Sequence, residues 1–504
     1  MLFTNFKPRK IWGLLCGFLF FVITFRLEAQ TVKSDNELAS YLNSKDSVYE
    51  NICIEFGTET WDLYSGEGEV NLYSPKSKMA EFLTNNDFTE NIDYWVNNVN
   101  LIQDDILKRK VVLWNKVIEG TKIELDKDVK DIATQLLEKI RNRDAKDTIQ
   151  NKELEKQVLN LIKIRNKKAR ELGYDNYAYY ILDYFGIGYK WFESFTEEID
   201  MKSAPVYKEL LEKLNKEKDT VKIGDIMKYF KSSPEVSFSE DSVYIILRQT
   251  MSDIGFDYDA LPIRFVVKAA DFGGNCIGVV IPTDYRVVVV PNMPISVYMH
   301  ELGHGLQGIY TNTSTGLLEG YEWCLGNTPP MFYEGMADMM AGFTRNPKWL
   351  KRYSNFNDKE ISEYLKIDKY ESAVKMRLSL FWMLSEIEVY KNEDKIPNDV
   401  VNALYKKIYM FDENRSRPYS LVNTAFIDYP CYMQNYVIAE FISWQVHQTL
   451  KEKFGESYAF NKEVKNYLIE NFYKYGVSKD WRAILTDATG RDLDVDGYLN
   501  YLGL

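Results

Sequence analysis

Met299-His300-Glu301-Leu302-Gly303-His304-Gly305-Leu306-Gln307 carries the pattern H-E-x-x-H in the middle of the chain. On a helix, positions i and i+4 share one face, so His300 and His304 can offer two imidazole nitrogens to one metal ion while Glu301 stands beside them. The chain has only 3 His in 504 residues, and two of them fall at this spacing with a glutamate after the first. That arrangement points to zinc-assisted hydrolysis of a peptide bond, with Glu301 as general base.

Working outward, the residues before the motif change character. Ile263 to Ala269 and Tyr285 to Val290 are β-branched runs bounded by Gly, Pro and Asp, which predicts two or three short strands leading into the motif helix. Asp271-Phe272-Gly273-Gly274-Asn275 reads as the turn between them, and Val287 to Val290 must be well buried. An edge strand beside a zinc helix can pair with an extended peptide, which makes Gly274, Asn275 and Cys276 candidates for substrate binding. After the motif, Pro329 and Pro330 open a new helical run, Met331-Phe332-Tyr333-Glu334-Gly335-Met336-Ala337-Asp338.

Catalytic zinc takes three protein ligands and keeps a position for water. The third ligand is either His447, the remaining histidine, or a carboxylate. His447 lies in an apolar helix and reads as packed, whereas Glu334 is the better candidate, on a helix that can pack against the motif. Asp338, four residues on, shares its face and can fix the tautomer of a ligating histidine.

Helical periodicity covers most of the rest: Asn36 to about Trp114 with a break near 66–68, then 124–143, 150–172 stopping at Gly173, 190–218 and 240–254. Later helices are expected at 358–391, 397–410, 431–453 and 457–473, with a final pair near 479–503. Apolar residues make up 45% and charged residues 27%, the profile of a globular chain, and a net charge of -12 without a basic stripe argues against nucleic acid as partner. Lys7, Arg9 and Lys10 precede an apolar run from Ile11 to Phe25, with Ala29 at a plausible cleavage point. Residues 1–29 thus read as a secretory signal, residues 30–504 as the catalytic domain, and the protein as secreted or periplasmic; a membrane association would follow only if the leader stayed uncleaved. Cys53, Cys276, Cys324 and Cys431 remain after the leader, and free buried thiols are at least as good a reading as disulfides.

The H-E-L-G-H helix together with Phe332-Tyr333-Glu334-Gly335-Met336-Ala337-Asp338 resembles the glutamate-zinc peptidases, specifically the angiotensin-converting enzyme family, with thimet oligopeptidase and oligopeptidase F as relatives. Arg165-Asn166-Lys167-Lys168-Ala169-Arg170-Glu171-Leu172-Gly173-Tyr174 is similar to a segment shared by these helical peptidases, and Tyr49 to Trp61 resembles the converting-enzyme N-terminal helix. Tyr436 precedes His447 by eleven positions, the spacing in that family between the transition-state tyrosine and a helix histidine; Tyr432 and Tyr429 are neighbouring alternatives. The resemblance implies a mainly α-helical, two-lobed fold around a deep cleft with a small β-sheet beside the zinc helix. It also implies one Zn2+ held by His300, His304 and Glu334, with Tyr436 donating to the oxyanion, and short peptides as substrates, with release of dipeptides from the C-terminus as the converting-enzyme mode.

The chain departs from the family in three places. Thirty positions separate His304 from Glu334, several more than the family has, so the intervening loop is enlarged. Phe426 stands about where the converting enzymes carry an auxiliary histidine. The lysine that grips the substrate carboxylate is also missing, with Arg415 or Arg417 as conceivable substitutes. An endo-acting oligopeptidase, a carboxypeptidase, or a non-catalytic exported binding protein on the same scaffold are the alternatives.

Overall fold

A computed structural model describes residues 34–504, apart from 219–220, 232–235, 237, 270–272, 314, 323–327, 413 and 416. The expected leader and Cys324 lie outside the described residues. Cys53, Cys276 and Cys431 are buried.

The expected helical fold with one small sheet is present. The N-terminal helix Asp35–Ser65 starts at Ser34, whose side chain accepts the Glu37 N–H, and stops at Gly66 with φ 71. The expected stretch from Asn36 to Trp114 breaks more often than anticipated, into Asp35–Ser65, Tyr73–Leu83, Asn86–Asn97 and Asp105–Thr121. Asn85 and Asp104 each cap a new helix by accepting backbone N–H groups. Beyond it, Thr148–Glu171 ends just before Gly173, which has φ 91, and Asp358–Lys391 runs as expected. The segment 457–473 is instead a short 3-10 turn followed by Glu463–Asn471, whereas the expected final pair is present as Trp481–Thr489 and Val495–Leu502.

The sheet has three strands, β1 (Ile263–Val267), β2 (Gly274–Val280) and β3 (Asp284–Val289), in the order β1-β3-β2. β3 runs parallel to β1 and antiparallel to β2. Gly274 and Asn275 are not turn residues but the first residues of β2, because they pair with Val289 and Val288. The continuous apolar run of β3 follows from burial on both faces. Tyr285, Val287 and Val289 join the main core. Val288 joins Ile277, Val279 and Trp61 of the N-terminal helix in a second, small cluster.

Three helices meet behind this sheet: the motif helix Ile295–Ile309, the glutamate helix Pro330–Gly342 and the tyrosine helix Gln434–Phe454. The glutamate helix packs between the other two. Gly303 permits the first crossing, since a Cβ there would stand 2.7 Å from the Ala337 Cα. This close approach sets Glu334 opposite the two histidines.

Candidate metal centre

His300 and His304 occur one turn apart on the motif helix, and Glu334 faces them from the glutamate helix. Their donor atoms form a triangle: His300 Nε2 to His304 Nε2 is 3.2 Å, and Glu334 Oε2 lies 3.4 Å from His300 Nε2 and 3.5 Å from His304 Nε2. Tetrahedral zinc with bonds near 2.05 Å separates neighbouring ligand atoms by about 3.3 Å. The triangle therefore fits a zinc-sized ion, and among the described residues these three are the group that could hold a metal.

Each imidazole is oriented through its other nitrogen. His300 Nδ1 is 2.9 Å from Asp338 Oδ1, as the spacing of Glu334 and Asp338 anticipated. His304 Nδ1 lies 2.9 Å from Glu322 Oε2. With Nδ1–H donating to these carboxylates, both Nε2 lone pairs face the centre of the triangle. Glu322 was not singled out from the sequence; an acidic residue in a polar loop is ordinarily solvated, and no spacing rule ties it to the motif. The enlarged loop turns back at Gly320 and buries Tyr321, and this carries Glu322 to His304.

Four carboxylates, from Glu301, Glu322, Glu334 and Asp338, surround two imidazoles, so the site carries an excess of negative charge that a divalent cation would balance. Burial alone would lower the pKa of His300, but Asp338 and Glu334 outweigh it and push it up to about 9. His304 is likewise held well above the usual value, with Glu322 and Glu334 overcoming burial. For Glu334 burial raises and the two histidines lower, with a net fall to about 2. Glu301 goes the other way: burial raises it to about 6 although both imidazoles pull it down.

β2 begins against this glutamate. A Cβ on Gly274 would stand 2.6 Å from Glu301 Oε1, so a glycine is required where the strand meets the carboxylate. Asn275 has a buried Oδ1 without a hydrogen-bond partner among the described residues, and Cys276 is buried, turned into the core behind the site. Tyr436 opens the opposite side. It is 44% exposed, and burial together with the Glu334 and Glu301 carboxylates raises its phenol pKa. Tyr432, more enclosed, stacks edge-on against it at 5.5 Å. His447 is not a ligand: its Nε2 is 2.8 Å from the Met339 carbonyl and its Nδ1 accepts from the Tyr458 hydroxyl at 3.0 Å. Phe426 is buried, with its ring stacked on Tyr390. Arg415 lies over the rings of Phe381, Tyr405 and Tyr419.

Residues 291–504, which hold the whole candidate centre apart from β2, match the family model of peptidase family M3. No curated protein matches the chain in sequence. Among solved structures, a Pyrococcus furiosus carboxypeptidase superposes with TM-score 0.69 at 16% identity, covering 94% of this chain and 99% of that one. An M32 carboxypeptidase from Deinococcus radiodurans gives 0.64 at 13%, covering 92% and 98%. A putative oligoendopeptidase F from Bacillus anthracis gives 0.53 at 14%, covering 99% and 95%. These likenesses speak for the fold, and the expected kinship with helical glutamate-zinc peptidases is met with M3, not specifically the converting enzymes, as the family matched. The chain is therefore a metallopeptidase whose residues 291–504 match peptidase family M3.

Proposed function

We propose that the protein is a zinc peptidase that hydrolyses short peptides bound in extended form. The observation that carries this is the triangle of His300, His304 and Glu334 with the buried Glu301 carboxylate alongside. A zinc ion held by these three side chains would polarise the scissile carbonyl and make water more acidic. The Glu301 carboxylate takes a proton from the attacking water and passes it to the leaving amine nitrogen. The Tyr436 hydroxyl donates to the oxyanion that develops on the carbonyl oxygen, a contribution of about 3 kcal/mol for a preorganised donor. β2 is an edge strand and starts beside Glu301, which supports its offering backbone groups to the peptide, while Cys276 contributes no side chain to that surface.

The superpositions on carboxypeptidases favour action at the C-terminal end of the peptide. The likeness to oligoendopeptidase F keeps internal cleavage as the second reading. Mass spectrometry of products from peptides of graded length, each with a free or an amidated C-terminus, separates the two. Amidation abolishes C-terminal trimming and leaves internal cleavage intact, and no hydrolysis by the zinc-loaded protein on any of them would sink the proposal. We further propose export, supported by the basic residues Lys7, Arg9 and Lys10 ahead of the apolar run to Phe25. N-terminal sequencing of the mature protein should read from near Gln30; an intact Met1 would contradict it.

A further inference from the structure

Arg165, on the helix Thr148–Glu171, is fully buried. Its guanidinium is held by Glu124 at 2.9 and 2.7 Å, donates to the Tyr390 hydroxyl at 3.1 Å, and reaches the backbone carbonyls of Phe426 at 3.4 Å and Ile427 at 2.8 Å. From the helix Asp358–Lys391, Glu386, also buried, accepts the backbone N–H of Cys431, a few residues beyond Ile427, and an N–H from Asn423. Cys431 has φ 58, a left-handed conformation that is rare for a residue with a side chain and persists only when its surroundings hold it. Gln434, in turn, donates to the Cys431 carbonyl.

The segment pinned in this way, from Asn423 to Gln434, is the entry to the tyrosine helix and ends two residues before Tyr436. Neither Arg165 nor Glu386 has a polar contact with the metal-site residues. A connecting segment of this kind could adopt many geometries; buried charged groups that accept from and donate to its backbone leave one. We propose that Arg165 and Glu386 are positioning residues that clamp the backbone of residues 423–434 and thereby aim the Tyr436 hydroxyl at the scissile carbonyl. This rests on Tyr436 as oxyanion donor, and it gives the buried Arg165 of the shared helical segment a role in catalysis through the tyrosine.

The test is a double-mutant cycle on the zinc-loaded full chain. Glu386→Ala lowers kcat by roughly 10²-fold, the effect of losing one oxyanion donor, with KM and zinc content close to those of the unaltered protein. Glu386→Gln, which keeps an oxygen to accept the Cys431 N–H, restores most of the rate. In a Tyr436→Phe background, Glu386→Ala costs nothing further. An unchanged kcat in Glu386→Ala, or an equal loss with and without the Tyr436 hydroxyl, overturns the clamp. A Tyr436→Phe protein with full activity instead defeats the donor assignment on which the clamp rests. If Glu386→Ala does not fold, the half-buried Asn423→Ala carries the same cycle with the same two outcomes.

Discussion

At the scale of single residues, the metal centre has one carboxylate behind each histidine, Asp338 for His300 and Glu322 for His304. Such partners fix the tautomer, and their removal ordinarily costs 10–100-fold in metal affinity. Asp338→Ala and Glu322→Ala should each weaken zinc binding in that range by competition with a chelator, and an unaltered affinity in Glu322→Ala would show that its contact with His304 is incidental. Asp338 was legible because helical spacing links it to Glu334; Glu322 was not, since its approach depends on a loop path with no sequence rule. His447 yields a pH prediction. Burial pushes it down to about 4, whereas in the unfolded chain it titrates near 6.5. As pH falls from 6.5 to 4 the unfolded state takes up a proton that the folded state refuses, so folded stability is present above that window and lost through it, by up to about 3 kcal/mol. The buried Glu386 and Glu440, each raised by burial to about 7, work with the opposite sign: their contribution is full below the unfolded carboxylate range and lost as pH rises through 7. The His447 contribution is therefore isolated by denaturant titration of the wild type against His447→Gln, where the advantage of the wild type should shrink as pH falls from 6.5 to 4.

At the scale of elements, three helices and a strand have to converge within a few ångströms. Periodicity and caps gave most of the helices, and the change to β-branched runs gave the sheet just ahead of the motif. Backbone pairing moved Gly274 and Asn275 from the expected turn into β2, because the register that sets them against Val289 and Val288 is fixed only once the sheet is assembled. The crossing of the motif and glutamate helices depends on Gly303. Gly303→Val forces side-chain atoms into the Ala337 backbone, and overpacking of this kind costs about 1–3 kcal/mol. A fall in melting temperature together with weaker zinc binding is expected. Stability lost with zinc affinity unchanged would mean that the crossing does not set the ligand geometry.

At the scale of the molecule, one continuous hydrophobic core runs from Leu38 in the N-terminal helix to Leu502 near the C-terminus. Long-range contacts of this kind are invisible to local pattern. Arg165 reaches Tyr390 and Ile427 across more than two hundred residues, and its segment could be noticed but not explained before the chain was folded. His300, His304 and Glu334 come from two helices packed within this core, so metal binding to them should stabilise the whole fold. With free zinc at about a thousand times Kd the gain is roughly 4 kcal/mol, visible as a rise in melting temperature that a chelator reverses. The central claim is that zinc held by His300, His304 and Glu334 works with Glu301 as the base, and the most direct measurement is zinc content together with peptide hydrolysis for the wild type and Glu301→Gln. Both proteins should carry stoichiometric zinc, with kcat in the variant reduced roughly 10²–10⁴-fold; equal rates in the two, or a wild type that holds no zinc, would contradict it.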